Sequence, residues 1–492
     1  MSEPSSSRLH GLRPGAIGFG AALAIGIAST APAYSLAATL GLVSKELGNS
    51  GTAAPAVLLI AFLPMLCIAV AFDRLNRIEA DCGTTFAWVA HGMGPWIGWM
   101  AGWATLLSGT LVMASLAQVS GIYTFRLLGM DALADSRFAV ASVGTAWMGL
   151  VTWVCARGIE SAVRTQYLLL GLELIALIIF TLAALATAMG PSAPTDALRP
   201  SLLWFNPGTV ESSSALAGAV LVSIFLYWGW ESAVSMNEET RNSTHTPGRA
   251  GLASVVILLL IYALVATAAQ SVHGPAFLAE HADDIFSALA RDVLSPPWDR
   301  LLVLGVLTSA IAAAQTTVIP TARTVLSMAS AGAFPAISAS IHPRFLTPHV
   351  ATWALGAVSC VWFVVLSFWS NDVLEDSILS TALLVAFSYA LTGYACPLVY
   401  RRTATRSEKN VLVLAVLPLL GAVSLTWAFV SSCASLAKPG SAGLVLGVGV
   451  PLAVAVGLLL VGAVMMVARF CVNPTFFRPI KDAASRRSER GR

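Results

Sequence analysis

Charge is scarce in this 492-residue chain. Asp, Glu, Lys and Arg make up 11% of it, against 57% hydrophobic residues. Ordinary soluble domains carry about twice that charge, so a single soluble globule is excluded. The seven cysteines (67, 82, 155, 360, 396, 433 and 471) are odd in number, and no two have the spacing of a disulfide framework or a metal site. They read as small apolar fillers, and no metal ligand set is expected. None of the seven histidines (10, 91, 245, 273, 281, 342 and 349) falls in the middle of an apolar run, which removes a histidine proton relay. The apolar region holds no nucleophile–base pair and no phosphate loop, so an enzyme is the least favoured class. No cofactor and no nucleic-acid partner are implied.

What is present is a series of apolar runs of about 20 residues, each long enough to cross a hydrocarbon core of roughly 30 Å. Twelve spans are predicted, at 15–43, 52–72, 95–128, 138–156, 164–190, 213–240, 250–272, 300–327, 350–369, 377–400, 410–432 and 441–469. Arg8, Arg13 and Ala31-Pro32-Ala33 have the outline of a signal peptide and its cleavage site. The run between them continues to Val43, so it reads as the first span. The fold class is therefore all-α, a polytopic membrane protein.

An even number of spans puts both termini on one side. Segments on that side hold 21 of the 28 Lys and Arg, including Arg74, Arg77, Arg157, Arg164, Arg241 and Arg249; the other side holds seven. This bias predicts cytoplasmic termini in the cell membrane. The basic stretch Arg478–Arg492 reads as a solvated tail, with contact to anionic lipid as the other reading. The outer loop 273–299 gathers His273, Glu280, His281, Asp283, Asp284 and Asp292 without a metal-motif spacing, and reads as a solvated loop.

Of the 25 acids, only Glu173 and Glu231 lie well inside a span. A charge at that depth is costly and calls for a function. Glu231 follows Trp228-Gly229-Trp230 in span 6, where glycine lets a helix open. Span 1 carries Ser29-Thr30-Ala31-Pro32-Ala33. Pro32 cannot donate a backbone hydrogen bond, disfavours helix at Ala31, and is tolerated in the first turn of a new helix that Ser29 or Thr30 would cap. Interruptions at matching places in two halves of a transporter point to a midplane substrate site, and irregular backbone at that depth is tolerated where it lines a cavity. Freed N–H groups near Ser29, Thr30 and Ala31, at the positive end of the helix continuing through Ala33, would accept a substrate carboxylate. Opened carbonyls near Tyr227, Trp228 and Gly229 would accept its ammonium, with Phe225 and Tyr227 closing over it.

The stretch Phe225-Leu226-Tyr227-Trp228-Gly229-Trp230-Glu231, followed by Asn237-Glu238-Glu239-Thr240-Arg241-Asn242, resembles the aromatic, Gly-x-Glu and Glu-x-x-Asn-Pro pattern of the amino acid–polyamine–organocation (APC) superfamily, with Ser243 in place of the proline. Asp81-Cys82-Gly83-Thr84-Thr85-Phe86 stands where the superfamily has Pro-x-Gly-Gly-x-Tyr, and Ala322-Arg323, Gly332-Ala333-Phe334-Pro335 and Thr347-Pro348 are similar to its later motifs. The resemblance covers spans 1–10. It implies a 5+5 inverted-repeat core at 15–400 (repeats 15–190 and 213–400) with broken helices 1 and 6, flanked by an N-terminal segment 1–14, two added helices at 401–470 and a tail at 471–492. It implies an amino acid or related amine as substrate, a proton as coupling partner, the Ser29–Ala31 break as carboxylate site, Phe225 as gating aromatic and Glu231 as a carboxylate linked to proton-dependent gating. Both glycines of the usual span 1 break are missing, and Glu173 stands near where some relatives place a lysine.

Several readings remain side by side. Glu231 is a proton-sensing gate or a structural acid holding loose backbone. Glu173 has a coupling role or makes a structural hydrogen bond. Arg323 pairs with Glu238 or Glu239 at an inner gate, or anchors the span end. Thr308 and Ser309 are candidate sodium ligands or packing hydroxyls. The leading functional expectation is a secondary amino-acid transporter, with proton symport; an amine or amino-acid exchanger and a non-transporting sensor are the alternatives.

Overall fold

The computed structural model describes residues 10–191, 193–282, 285–370, 372–404, 407–437, 444–445 and 448–477. Arg8, Asp283, Asp284, Arg406, Lys438 and the basic tail from 478 onward lie outside the described residues. Among the described residues, eleven helical stretches are long and apolar enough to cross a membrane. The first, Phe19–Ile78, is 60 residues long. At 1.5 Å per residue it would run about 90 Å if straight, three times the core thickness. It is folded into two crossings: span 1, made of Phe19–Thr30 and Pro32–Leu47, and span 2, Ala54–Ile78. Twelve crossings result, as the runs predict.

Three regions differ from the sequence expectation. Span 12 starts at Val450, not 441, because Leu444–Val445 and Val448–Gly449 pair as a short antiparallel hairpin before it. Pro451, in the first turn of that helix, gives up an N–H that would have no partner there anyway. The outer loop is not simply solvated: it holds the helices Pro275–Glu280 and Ile285–Val293, and the second buries Ile285, Phe286 and Leu289. The connection between spans 2 and 3 contains its own helix, Thr85–Met93.

The packing repeats at an offset of five spans. The first half of span 1 lies on span 7 (Thr246–Val272), as the first half of span 6 (Ser213–Tyr227) lies on span 2. Span 3 (Pro95–Leu127) packs on span 10 (Val373–Val399), as span 8 (Asp299–Ser330) packs on span 5 (Ile159–Met189). Spans 4 (Arg137–Ala156) and 9 (His349–Trp369), which correspond, pack on each other. Five crossings is an odd number, so the two halves run in opposite directions through the membrane. This is the inverted repeat that the motifs imply.

Both interruptions are real. Ala31 takes a left-handed conformation (φ 48°, ψ 68°), ending the first half-helix, and its carbonyl accepts the Ser35 N–H at 2.7 Å to start the second. A residue before proline is steered away from the right-handed helix, which explains why the break falls there without glycine. In span 6, Trp228 is extended (ψ 145°), Gly229 has φ 118°, and helix resumes only at Ser232–Ser235.

Candidate substrate site at the paired helix breaks

The two interruptions lie against each other. A Cβ on Gly229 would fall 2.6 Å from the Ser29 carbonyl oxygen and 3.0 Å from the Thr30 nitrogen. Only glycine combines this approach with a positive φ. Across the same contact, the Ser29 and Ser232 hydroxyls are 2.7 Å apart, and Ser232 also donates to the Thr316 carbonyl of span 8 at 3.2 Å. The breaks of spans 1 and 6 and the middle of span 8 therefore form one polar junction.

Two cavities meet at this junction. One is lined by Thr30, Ala31, Tyr34, Ser35 and Phe225, and the other by Gly229, Glu231, Ser232, Ser235 and Tyr389. Ser29, Trp228 and Thr317 border both. Tyr34 and Ser35 follow the span 1 break and Phe225 precedes the span 6 break, so the first cavity faces away from the side on which the chain starts. By the same reasoning the second faces toward that side. Among the described residues, the Thr317 hydroxyl makes no hydrogen bond, which leaves it available to a bound molecule at the boundary.

The backbone at the breaks is satisfied differently from the sequence expectation. Neither Ser29 nor Thr30 caps the second half of span 1: the Thr30 hydroxyl turns back to the Ile27 carbonyl at 2.7 Å. Serine and threonine inside helices commonly do this. The cap comes from spans 5 and 8. The Ala33 N–H donates to Glu173 Oε1 (2.8 Å), the Ser309 hydroxyl donates to the same oxygen (2.7 Å), and the Tyr34 N–H donates to Ser309 (3.1 Å). A carboxylate at a half-helix N-terminus is the favourable arrangement. The site of Ala33 is thus already filled by an internal carboxylate, and the Ala31 N–H is taken by the Ala28 carbonyl at 3.2 Å.

On span 6, Phe225 stands edge-on to Tyr34 (6.5 Å between centroids) and beside Trp228 (6.3 Å), at the rim of the first cavity. Tyr227 borders neither cavity; it packs on Tyr262 (5.2 Å) and Phe62 (6.1 Å). Glu231 Oε2 accepts the Gly229 N–H at 3.0 Å and the Tyr389 hydroxyl of span 10, closing the turn of the break.

Two tyrosines missed by sequence reasoning are central here. Tyr389 ties Glu231 to span 10. Tyr262 of span 7, wholly buried, donates to the Leu226 carbonyl (2.7 Å), with the Thr30 carbonyl at 3.5 Å, so one hydroxyl serves both breaks. Tyr262→Phe leaves a buried carbonyl unpaired. It is expected to lower stability by about 1–3 kcal/mol, read as an earlier thermal unfolding of the purified protein.

The face carrying the chain start is closed by a second polar cluster. Arg323 of span 8 donates to Glu239 from Nε (2.7 Å) and Nη2, both side chains being buried. The N-terminal segment joins it: the Ile17 N–H donates to the Glu239 carbonyl and the Arg241 N–H to the Ile17 carbonyl. Asp81 accepts from the Ser327 hydroxyl (2.7 Å) and the Gly83 N–H (2.7 Å). Burial nevertheless raises its carboxyl above the ordinary value.

A family model described as "Amino acid permease" matches residues 17–460, which takes in both breaks and the Arg323 cluster. The chain belongs to the amino acid permease family. Among its curated relatives, an uncharacterized transporter of Mycobacterium bovis is 26% identical over 302 residues, 61% of this chain and 63% of its own length. The chain thus spans less than two thirds of that relative. The arginine/ornithine antiporter ArcD2 of Lactococcus lactis subsp. cremoris is 21% identical over 220 residues (41% and 43%). The cationic amino acid transporter 3 of Arabidopsis thaliana is 23% identical over 391 residues (74% and 59%).

Proposed function

We propose that this protein is a secondary active transporter that carries amino acids across the cell membrane by alternating access, with proton symport. The observation that carries the reading is the contact between the two broken helices, Gly229 against Ser29, with a polar cavity on each side of Trp228. The 21-to-7 distribution of basic residues supports a cytoplasmic chain start, and with it a cytoplasmic Arg323–Glu239 cluster. The conformation described is then closed at its inner gate.

The substrate is a small zwitterion. Its ammonium meets the opened carbonyl of Trp228, and its carboxylate meets the Thr317 hydroxyl, both on the boundary of the two cavities. Phe225 is the lid. Glu173 holds the second half of span 1 in place, so its role is structural, whereas Glu231 couples protonation to the span 6 turn. Loss of charge at Glu231 would weaken its bonds to Gly229 and Tyr389 and loosen the break. Glu231→Gln is expected to fold and to flatten the pH dependence of transport. An unchanged pH profile assigns the residue to structure alone.

A second reading, exchange of cationic amino acids, is favoured by one observation: Glu231 is the single charged residue on its hydroxyl-rich cavity. Relatives named as arginine/ornithine antiporters support it. A thermal-shift screen against the amino acids tests both. A true substrate at 100 times its dissociation constant adds about 2.7 kcal/mol. Stabilisation confined to arginine, ornithine and lysine selects the second reading, and no shift with any amino acid counts against both.

A further inference from the structure

Three side chains far apart in sequence converge beside the inner gate. His10 comes from the N-terminal segment, Cys82 from the connection between spans 2 and 3, and Glu238 from the end of span 6. His10 Nδ1 is 2.7 Å from Glu238 Oε1 and 3.8 Å from Cys82 Sγ. The imidazole nitrogen, the sulfur and a carboxylate oxygen all lie within 4.8 Å of one another. The cluster is interior: the His10 side chain is 7% exposed, that of Glu238 1%, and Cys82 is fully buried.

We propose that His10, Cys82 and Glu238 form a binding site for a divalent transition-metal ion of the zinc class. The donor set is the first reason. One imidazole nitrogen, one thiolate and one carboxylate suit Zn²⁺, and three protein ligands with an exchangeable water make the usual four. The dimensions are the second. Bonds of about 2.0–2.3 Å put tetrahedral ligand atoms about 3.3–3.6 Å apart, and the 2.7 and 3.8 Å separations bracket that spacing. To admit the ion, His10 Nδ1 and Glu238 Oε1 must part by at least about 0.6 Å, a movement within reach of side-chain rotation.

The third reason is the support around the ligands. The backbone N–H of Cys82 donates to Glu238 Oε1 (3.0 Å) and that of His10 donates to Oε2 (3.1 Å), so the carboxylate is held in position by the two other ligands' own peptides. Outer hydrogen bonds of this kind orient metal ligands. Binding replaces the Cys82 S–H bond with a sulfur–metal bond and releases the proton to solvent. Chain spacing gives no sign of these ligands, because they come from three segments that only the fold brings together.

The three ligands belong to three elements that close one face of the molecule. A metal bridging them holds that face shut. This consequence rests on the transport reading; the binding itself does not. The test uses the full-length protein in detergent, with Co²⁺ as a spectroscopic probe. Wild type is expected to bind one ion per chain with a cobalt–thiolate absorption band, displaced by Zn²⁺. The band is expected to disappear in Cys82→Ser and to weaken in His10→Ala and Glu238→Gln, each compared with wild type for thermal unfolding in EDTA. No thiolate band in the wild type overturns the site, as does a band of full strength in Cys82→Ser, which would place the ion at another cysteine. In proteoliposomes that transport, Zn²⁺ is expected to slow wild-type flux and leave Cys82→Ser unaffected; if binding is seen without that effect, the site stands and the locking role falls.

Discussion

Arg323→Ala is expected to destabilise the protein by roughly 3–5 kcal/mol, the range for removing one partner of a buried ion pair. Arg323 is 3% exposed and Glu239 1%. The guanidinium donates to Glu239 from two nitrogens and to the Ile319 carbonyl from Nη1 at 3.0 Å. Truncation strands a carboxylate in an interior position with nothing to balance it. The damage spreads, because the Glu239 carbonyl also anchors the N-terminal segment through Ile17. Thermal unfolding of the purified variant measures the loss. The double variant Arg323→Ala, Glu239→Ala is expected to lose less than the two single losses added together, since it leaves no unpaired charge. A single-variant loss under about 1 kcal/mol, the value of an exposed pair, would mean that solvent reaches this cluster.

Gly229→Ala is expected to abolish transport while leaving the twelve spans in place. The added methyl has no room: its nearest neighbours are the oxygen (2.6 Å) and carbon (2.7 Å) of the Ser29 carbonyl and the Thr30 nitrogen (3.0 Å). These are backbone atoms of a half-helix and cannot swing aside as a side-chain tip would. The φ of 118° adds strain of about 1–3 kcal/mol for any residue with a Cβ. The two breaks must separate, and a bound zwitterion would lose one of its two halves. Gly171→Ala is the matching control. That glycine lies in span 5 two residues before Glu173, and a Cβ there meets nothing within 4 Å. The control is expected to transport at the wild-type level, and equal losses in both variants would remove the special status of Gly229.

Much of the architecture was legible because it follows from solvation. Runs of apolar residues and the basic-residue bias need no knowledge of packing. The two breaks were also legible, since Pro32 and the glycine of Trp228-Gly229-Trp230 act on their own backbone. What was not legible depends on facing. Spans 1, 3, 5, 6 and 10 are apolar nearly all round, so their sequences do not say which residue looks at a neighbour's broken turn. Tyr389 of span 10 was missed for that reason; Tyr262 of span 7 and Thr317 of span 8 were missed because nothing in their own spans marks which residue meets a neighbour's broken turn. Ser309 was noted only as a possible sodium ligand, yet it shares the cap of span 1 with Glu173.

The Arg323 cluster shows the same limit. Glu238 and Glu239 had equal claim to Arg323 on sequence. The fold separates them: Glu238 turns to His10 and Cys82, which leaves Glu239 for the arginine. The wrap of residues 10–17 back onto the end of span 6 decides this, and a short polar segment before a first span carries no pattern that announces it. Thr30 likewise looked like a cap for the second half-helix, and its hydroxyl instead bonds to its own helix.

Flux of a labelled amino acid into proteoliposomes, with and without an inward proton gradient, tests the central claim most directly. The claim is that the paired breaks form one amino-acid site served by alternating access. Wild-type protein is expected to accumulate at least one amino acid, faster with the gradient, and Gly229→Ala is expected to accumulate none although it is inserted and folded. Wild-type protein that moves no amino acid, whether the vesicles are empty or preloaded for exchange, would contradict the account.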